Sequence, residues 1–310
     1  MKGENSMNIV ILVNKDFEYD GYRDGIDSRN NCTKLDLVFE DTTTGPDKMT
    51  PSRIYKLADT TIKATEYCIR YMFPKDQNSS NSEVKYGLLN DLLCNRIIDK
   101  PDFIISVSTS ESTPNSQGGN SETHSVNGCV FLGSRFFARD CSDIDPDSGS
   151  HLEVIEKRYM CEEIYPGFYK ELSDKGNKDR IAKGMKRVPN KPADNLFVDA
   201  NERNISLGVI NVVHYDKYEE ADKRTYDDFI GVNSFNNDVI PVGIETTHAV
   251  VRMVADENNN IPVLFVSPIT DRYLKFAEDV DDKNRQNNAS SYNAGVVVAN
   301  LLDFIAGKLQ

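Results

Sequence analysis

Val242 to Arg272 reads VGIETTHAVVRMVADENNNIPVLFVSPITDR, and this stretch decides the fold. From Thr246 to Ala255, the residues Ala249, Val250, Met253 and Val254 recur at the spacing that places apolar side chains on one face of a helix. The polar run Asp256 to Asn260 stops that pattern. Ile261 to Ile269 is then apolar on both faces and rich in β-branched residues, the composition of a parallel strand covered by helices on each side. In a right-handed crossover, the start of the helix and the end of the following strand share one edge of the sheet. Glu245 and Asp271 are therefore predicted neighbours, at the edge where open α/β sheets receive ligands.

Outward from that unit the alternation of strands and helices continues. Asn8 to Val13 (NIVILV) reads as a first buried strand that hands over directly to Asn14-Lys15-Asp16-Phe17-Glu18, so a third acid points at the same edge. Lys34 to Phe39 is a second strand. Thr50-Pro51 predicts a helix start, with Ile54, Leu57, Ala58, Ile62, Cys68, Ile69 and Met72 as its stripe and Pro74 as its end. A further helix carries Val84, Leu88, Leu89, Leu92 and Ile97 inward, and Phe103 to Val107 is a strand. Ser108 to Gly128 is dominated by Ser, Thr, Asn and Gly and reads as a long loop, a lid or rim. Short strands follow at Cys129 to Leu132 and Arg135 to Ala138, then an acidic loop, Asp140 to Ser150. Leu152 to Leu172 is expected to be helical apart from a break at Pro166-Gly167. Ile205 to His214 is another buried strand, and Tyr292 to Ile305 a terminal amphipathic helix. The fold class that results is α/β, with three α/β/α layers around a mixed central sheet, in one domain over 7–310 after a polar extension, 1–6.

Composition narrows the partners. A formal charge of −13 over 310 residues argues against nucleic-acid polymers and anionic membranes and favours a small-molecule ligand. The six cysteines show no C-x-x-C pairing, which fits free thiols in a reducing compartment. Ile9 to Val13 is too short for a signal-peptide core or a spanning helix, so a cytoplasmic location is expected. The basic run Lys175 to Lys191 reads first as a solvated face, with a phosphate-receiving surface as the alternative. No metal-ligand spacing occurs, no cofactor is expected, and neither a G-x-S-x-G elbow nor a Walker loop is present.

Three acids at one edge, without a metal, suit an acid and a base around a bond whose cleavage builds positive charge on a sugar. Taken singly, each has a simpler role: Glu245 at the positive end of a helix, Asp271 as a cap, Glu18 as a solvated turn acid. Their convergence is what points to chemistry.

The same residues carry a resemblance. Gly243-Ile244-Glu245-Thr246-Thr247-His248-Ala249 is similar to the segment E-M-E-x-x-A-x-A of the nucleoside phosphorylase and nucleosidase superfamily, most of all its methylthioadenosine/S-adenosylhomocysteine nucleosidases. Ile269-Thr270-Asp271 resembles that family's I-S-D ending, and NIVILVNKDFE its first strand and acidic turn. PDFIISVSTS (101–110) resembles the strand leading to its small-residue loop. The resemblance implies that Asp271 protonates a purine N7, that Glu18 activates the attacking water, and that Glu245 binds ribose hydroxyls. It places Ser108, Thr109 and Ser110 beside the ribose and nucleophile, Ile244 in the substrate-binding segment, and Tyr215 as a stacking platform for the base. It also implies a homo-oligomer. The small-residue loop departs from the pattern, since Ser108-Thr109-Ser110-Glu111 replaces glycines. Hydrolysis of a purine nucleoside or nucleotide is thus the expected activity. The alternatives are a phosphate-dependent phosphorylase, for which the sequence offers Lys15 and, farther off, Arg23 or Arg139, and a non-catalytic nucleoside-binding protein.

Overall fold

The computed structural model describes residues 7–309 apart from 31, 58–59, 98–99, 121, 155–157, 161–162, 234–237 and 282. In chain order the elements are β1 (Met7–Val13), α1 (Asp16–Asp27), β2 (Leu35–Glu40), β3 (Arg53–Leu57), β4 (Ile62–Cys68), α2 (Ile69–Met72), α3 (Ser82–Asp91), β5 (Phe103–Val107) and β6 (Ser110–Ser112). Then come β7 (Val130–Gly133), β8 (Arg135–Asp140), β9 (Arg158–Met160), α4 (Phe168–Leu172), α5 (Lys175–Ala182), β10 (Val198–Ala200) and β11 (Asn204–Ile210). The last are α6 (Tyr218–Asn233), β12 (Ile240–Glu245), α7 (His248–Glu257), β13 (Val263–Asp271), α8 (Phe276–Asp279) and α9 (Arg285–Leu309).

The strands form one mixed sheet in the order β2-β3-β4-β1-β5-β13-β6-β12-β11-β8-β9, with β7 paired to both β13 and β10. Period-two burial builds a core on each face. Ile9, Ile11 and Val13 of β1, with Phe103 and Ile105 of β5 and Leu264 and Val266 of β13, pack toward α9. Val10, Leu12, Ile104, Val263 and Phe265 point the other way, toward α3 and α7. The helices on both faces explain why these strands read as unbroken apolar runs, and they complete the three α/β/α layers.

Helices α1 and α9 touch backbone to backbone. A Cβ on Gly25 would lie 2.1 Å from the Tyr292 carbonyl oxygen, and one on Gly295 would lie 2.0 Å from that of Tyr22. The glycines are notches that let the helix bearing Glu18 seat against the terminal helix.

Several expectations are corrected. The stripe from Ile54 to Met72 is not a helix: β3 and β4 form a hairpin and only Ile69–Met72 turns helical. Arg53, Tyr55 and Leu57 alternate with Ile54 and Lys56 as buried and less buried, so the run is strand-periodic and satisfies both patterns on paper. Between Leu152 and Leu172 the described residues include strand β9 and helix only from Phe168. Ser108 to Gly128 is not wholly loop, because Ser110–Ser112 enters the sheet between β13 and β12. Consequently β12 and β13 are not adjacent parallel strands: β6 separates them, parallel to β13 and antiparallel to β12. The free thiols include buried Cys68, Cys129 and Cys141 and exposed Cys32 and Cys94, while Cys161 lies outside the described residues. Among the described residues no helix is long and apolar enough to cross a membrane.

Candidate active site

A cavity of about 540 Å3 opens over the ends of β1, β12 and β13, within the roughly 300–1,000 Å3 usual for small-molecule sites. Glu18, Glu245 and Asp271 all line it, as do Ser108, Thr109, Ile244 and Tyr215. Ser110 does not: it is buried in β6, where its hydroxyl donates to the Ser108 carbonyl at 3.5 Å. The short strand found where a loop was expected turns Ser110 into the sheet.

Glu18 lies in the first turn of α1 rather than in a free turn. Its Oε2 accepts the Lys15 backbone N–H at 3.1 Å and its Oε1 accepts the Thr109 hydroxyl at 2.6 Å. Burial raises its pKa, and the Thr109 and Lys15 contacts oppose the rise. The Asn14 amide N–H donates to the Val107 carbonyl at 3.1 Å, which ties the end of β1 to β5 and sets where α1 begins.

Glu245 closes β12 just before α7. Its carboxylate accepts the backbone N–H groups of Thr247 and His248, so it rests on the positive end of that helix. Burial nevertheless pushes it up to about 7, against the pull of those two N–H groups and of Lys85. Lys85 is fully buried, donating to the Thr246 carbonyl at 3.0 Å and the Thr247 hydroxyl at 2.8 Å. Burial drives its pKa down to about 7, and the nearby Lys15 charge lowers it further. Each member of this pair favours the charged form of the other, against the burial that favours the neutral forms. Lys85→Met is thus expected to raise the Glu245 pKa further, so that this carboxyl ionises at a higher pH than in the wild-type protein. Infrared titration of the carboxylate band from pH 6 to 9, with Glu245→Gln identifying its signal, checks this, and an ionisation midpoint matching wild type would remove Lys85 as its partner.

Asp271 ends β13 and is 2% exposed. Thr270 donates a short hydrogen bond to Oδ1, whereas Oδ2 has no partner among the described residues. Burial pushes its pKa up to about 7, with the Thr270 bond opposing and Asp279 adding to the rise. Behind it Arg272 pairs with fully buried Asp279 at 2.8 Å, which locks the strand end. Glu111 of β6, the register partner of Asp271, is also buried with Oε1 unpartnered. Burial and then the charges of Asp222 and Asp271 hold Glu111 well above the ordinary range, and Asp222 is raised in the same way. Carboxyls that interact in this way titrate as a group rather than singly.

Tyr215 is 67% exposed on the rim, with its ring 5.4 Å from that of Phe276 in an edge-on contact. Lys85, Glu111, Asp222 and Arg70 are the residues that sequence reading missed. Lys85 has no signal beyond a polar residue beside the apolar stripe of α3. The arginines considered for a phosphate are committed elsewhere: Arg23 pairs with Glu40 at 3.0 Å, and Arg139 with Asp143 at 3.0 Å and Asp228 at 2.5 Å.

No family model matches the chain, and no curated protein does. Solved structures do. The chain is similar to 5'-methylthioadenosine/S-adenosylhomocysteine nucleosidase from Campylobacter jejuni, with 11% identity, TM-score 0.52, and 98% of this chain and 100% of that one covered. The Borrelia burgdorferi structure of that description, bound to adenine, gives 12%, 0.53, and 96% and 99%. The one from Neisseria meningitidis, in complex with methylthio-immucillin-A, gives 12%, 0.50, and 96% and 99%. The chain therefore has the nucleoside phosphorylase/nucleosidase-like fold, most like that of these nucleosidases.

Proposed function

We propose that the cavity hydrolyses the N-glycosidic bond of a purine nucleoside or nucleotide and releases the free base. The observation that carries this reading is Asp271: a buried acid on the cavity wall, with one oxygen unpartnered and a pKa held near 7, in a cavity it shares with Glu18 and Glu245. Protonated Asp271 gives its proton to N7 of the base as the C1'–N9 bond breaks and its electron pair passes to the purine. Water attacks C1' from the face where Glu18 takes up its proton, and Glu245 holds the ribose hydroxyls while positive charge spreads over the sugar. The nucleosidase-like fold supports placing this chemistry at the ends of β1, β12 and β13.

The test is a panel of purine nucleosides and their monophosphates, with and without inorganic phosphate, assayed for free base. Release that does not need phosphate is expected. Release only with phosphate would make the protein a phosphorylase, and binding without release a non-catalytic receptor.

A further inference from the structure

The cavity is lopsided in charge. Its lining is rich in carboxylates, yet among the described residues it holds two cations, Lys15 and Arg70, and these sit together. The Arg70 backbone N–H donates to the Asn14 carbonyl at 3.0 Å, next to Lys15; burial lowers the Lys15 pKa, the Glu18 and Asp16 charges oppose that and keep the ammonium charged, and the Arg70 charge adds to the lowering. Lys15 Nζ is aimed by Ser79 Oγ at 3.0 Å and Ser80 Oγ at 2.9 Å. The Arg70 guanidinium makes no hydrogen bond or ion pair with any described residue, though it lines the cavity. Asp16 is the nearby exposed acid, and its carboxylate turns back to the Phe17 N–H at 3.0 Å. This cationic end lies at the ends of β4 and β1, whereas Glu111 and Asp271 lie beyond β5, on β6 and β13, with Asp222 of α6 near enough for its charge to act on them.

A ligand spanning the cavity must offer hydrogen-bonding groups to the carboxyls at one end and an anion to the cations at the other. We infer that Lys15, Arg70, Ser79 and Ser80 form an oxyanion subsite for a phosphate group, and that it takes the 5'-phosphate of a nucleoside monophosphate. The second half rests on the hydrolytic reading above. Inorganic phosphate offers the same chemistry, but as a nucleophile it would have to sit beneath the sugar at Glu18, where like charge repels it. A 5'-phosphate reaches past that acid to two cations and their hydroxyls.

Binding separates the sources. Adenosine and adenosine 5'-monophosphate, and the matching guanosine pair, are titrated calorimetrically into the Asp271→Asn protein. The monophosphate is expected to bind at least about tenfold tighter, and Arg70→Met and Lys15→Met, each added to that background, to bring the ratio toward one. Arg70→Lys should keep part of it. Arg70 is half-buried and can be exchanged without opening the core. Inorganic phosphate should compete with the monophosphate without stimulating base release by the wild-type protein. Equal affinities, a ratio unmoved in both Met variants, no binding by either member of both pairs, or phosphate-dependent release of ribose 1-phosphate would each overturn the subsite. Should no nucleoside or nucleotide yield free base while the binding ratio holds, the hydrolytic reading fails and the subsite stands.

Discussion

Asp271→Asn is expected to slow base release by about a thousandfold or more while leaving nucleoside affinity within a few fold. An amide has the same shape and still hydrogen-bonds, but it has no acidic proton to give, and positioned general acids contribute roughly 10²–10⁴ in rate. In the proposed reaction Asp271 works in its protonated form, and with its pKa pushed up to about 7 its contribution would fall as pH rises through that value. The alkaline decline in kcat/KM should therefore be present in the wild-type protein and absent from the residual activity of the variant. Single-turnover assays over pH 5 to 9 measure both. Undiminished turnover in the variant would rule out Asp271 as the proton donor and remove the main support for the hydrolytic reading.

Gly295→Ala is expected to destabilise the protein by about 2 kcal/mol or more, and Gly295→Val by more still. Helix propensity alone predicts the opposite sign, since alanine favours a helix over glycine by about 1 kcal/mol. Sterics win because the new Cβ would stand 2.0 Å from a backbone carbonyl oxygen of α1, and a main-chain atom cannot rotate away as a side chain can. Gly87 in α3 has nothing within 4 Å of its missing Cβ, so Gly87→Ala should stabilise by a few tenths to about 1 kcal/mol. Urea denaturation of both variants gives the comparison, and equal effects would mean that the contact between α1 and α9 is not tight in solution. Since α1 also carries Glu18, Gly295→Ala should lower activity beyond the loss of folded protein.

What could be read from the sequence was whatever local pattern dictates. Ile9 to Val13 and Val263 to Asp271 are buried at every position, so their strand character and the acids beyond them were legible. The Asn-rich stop after α7 was legible too, and Asn259 and Asn260 do adopt left-handed backbone with φ of 70° and 52°. The β3–β4 hairpin was not, because Ile54, Leu57, Ile62 and Ile69 suit a helical stripe as well as alternation, and pairing with β1 and β2 decides between them. Helix α6, YEEADKRTYDDFIGVN, went unread in its charged surroundings. The missed site residues share one cause. Lys85 and Arg70 look like surface cations, and Glu111 and Asp222 like solvated acids, until tertiary packing sets what each one faces.

The three residues of β6 are hydrogen-bonded to β13 on one side and β12 on the other, which makes the floor beneath Ser108 and Thr109 part of the load frame of the molecule. Such a floor cannot swing aside without tearing two ladders. Accommodation of larger or smaller guests consequently falls to the exposed part of the lining, where Tyr215 and Phe276 meet edge to edge with little covering them. Rigidity is thus concentrated where bonds would be broken, and compliance where molecules would enter and leave.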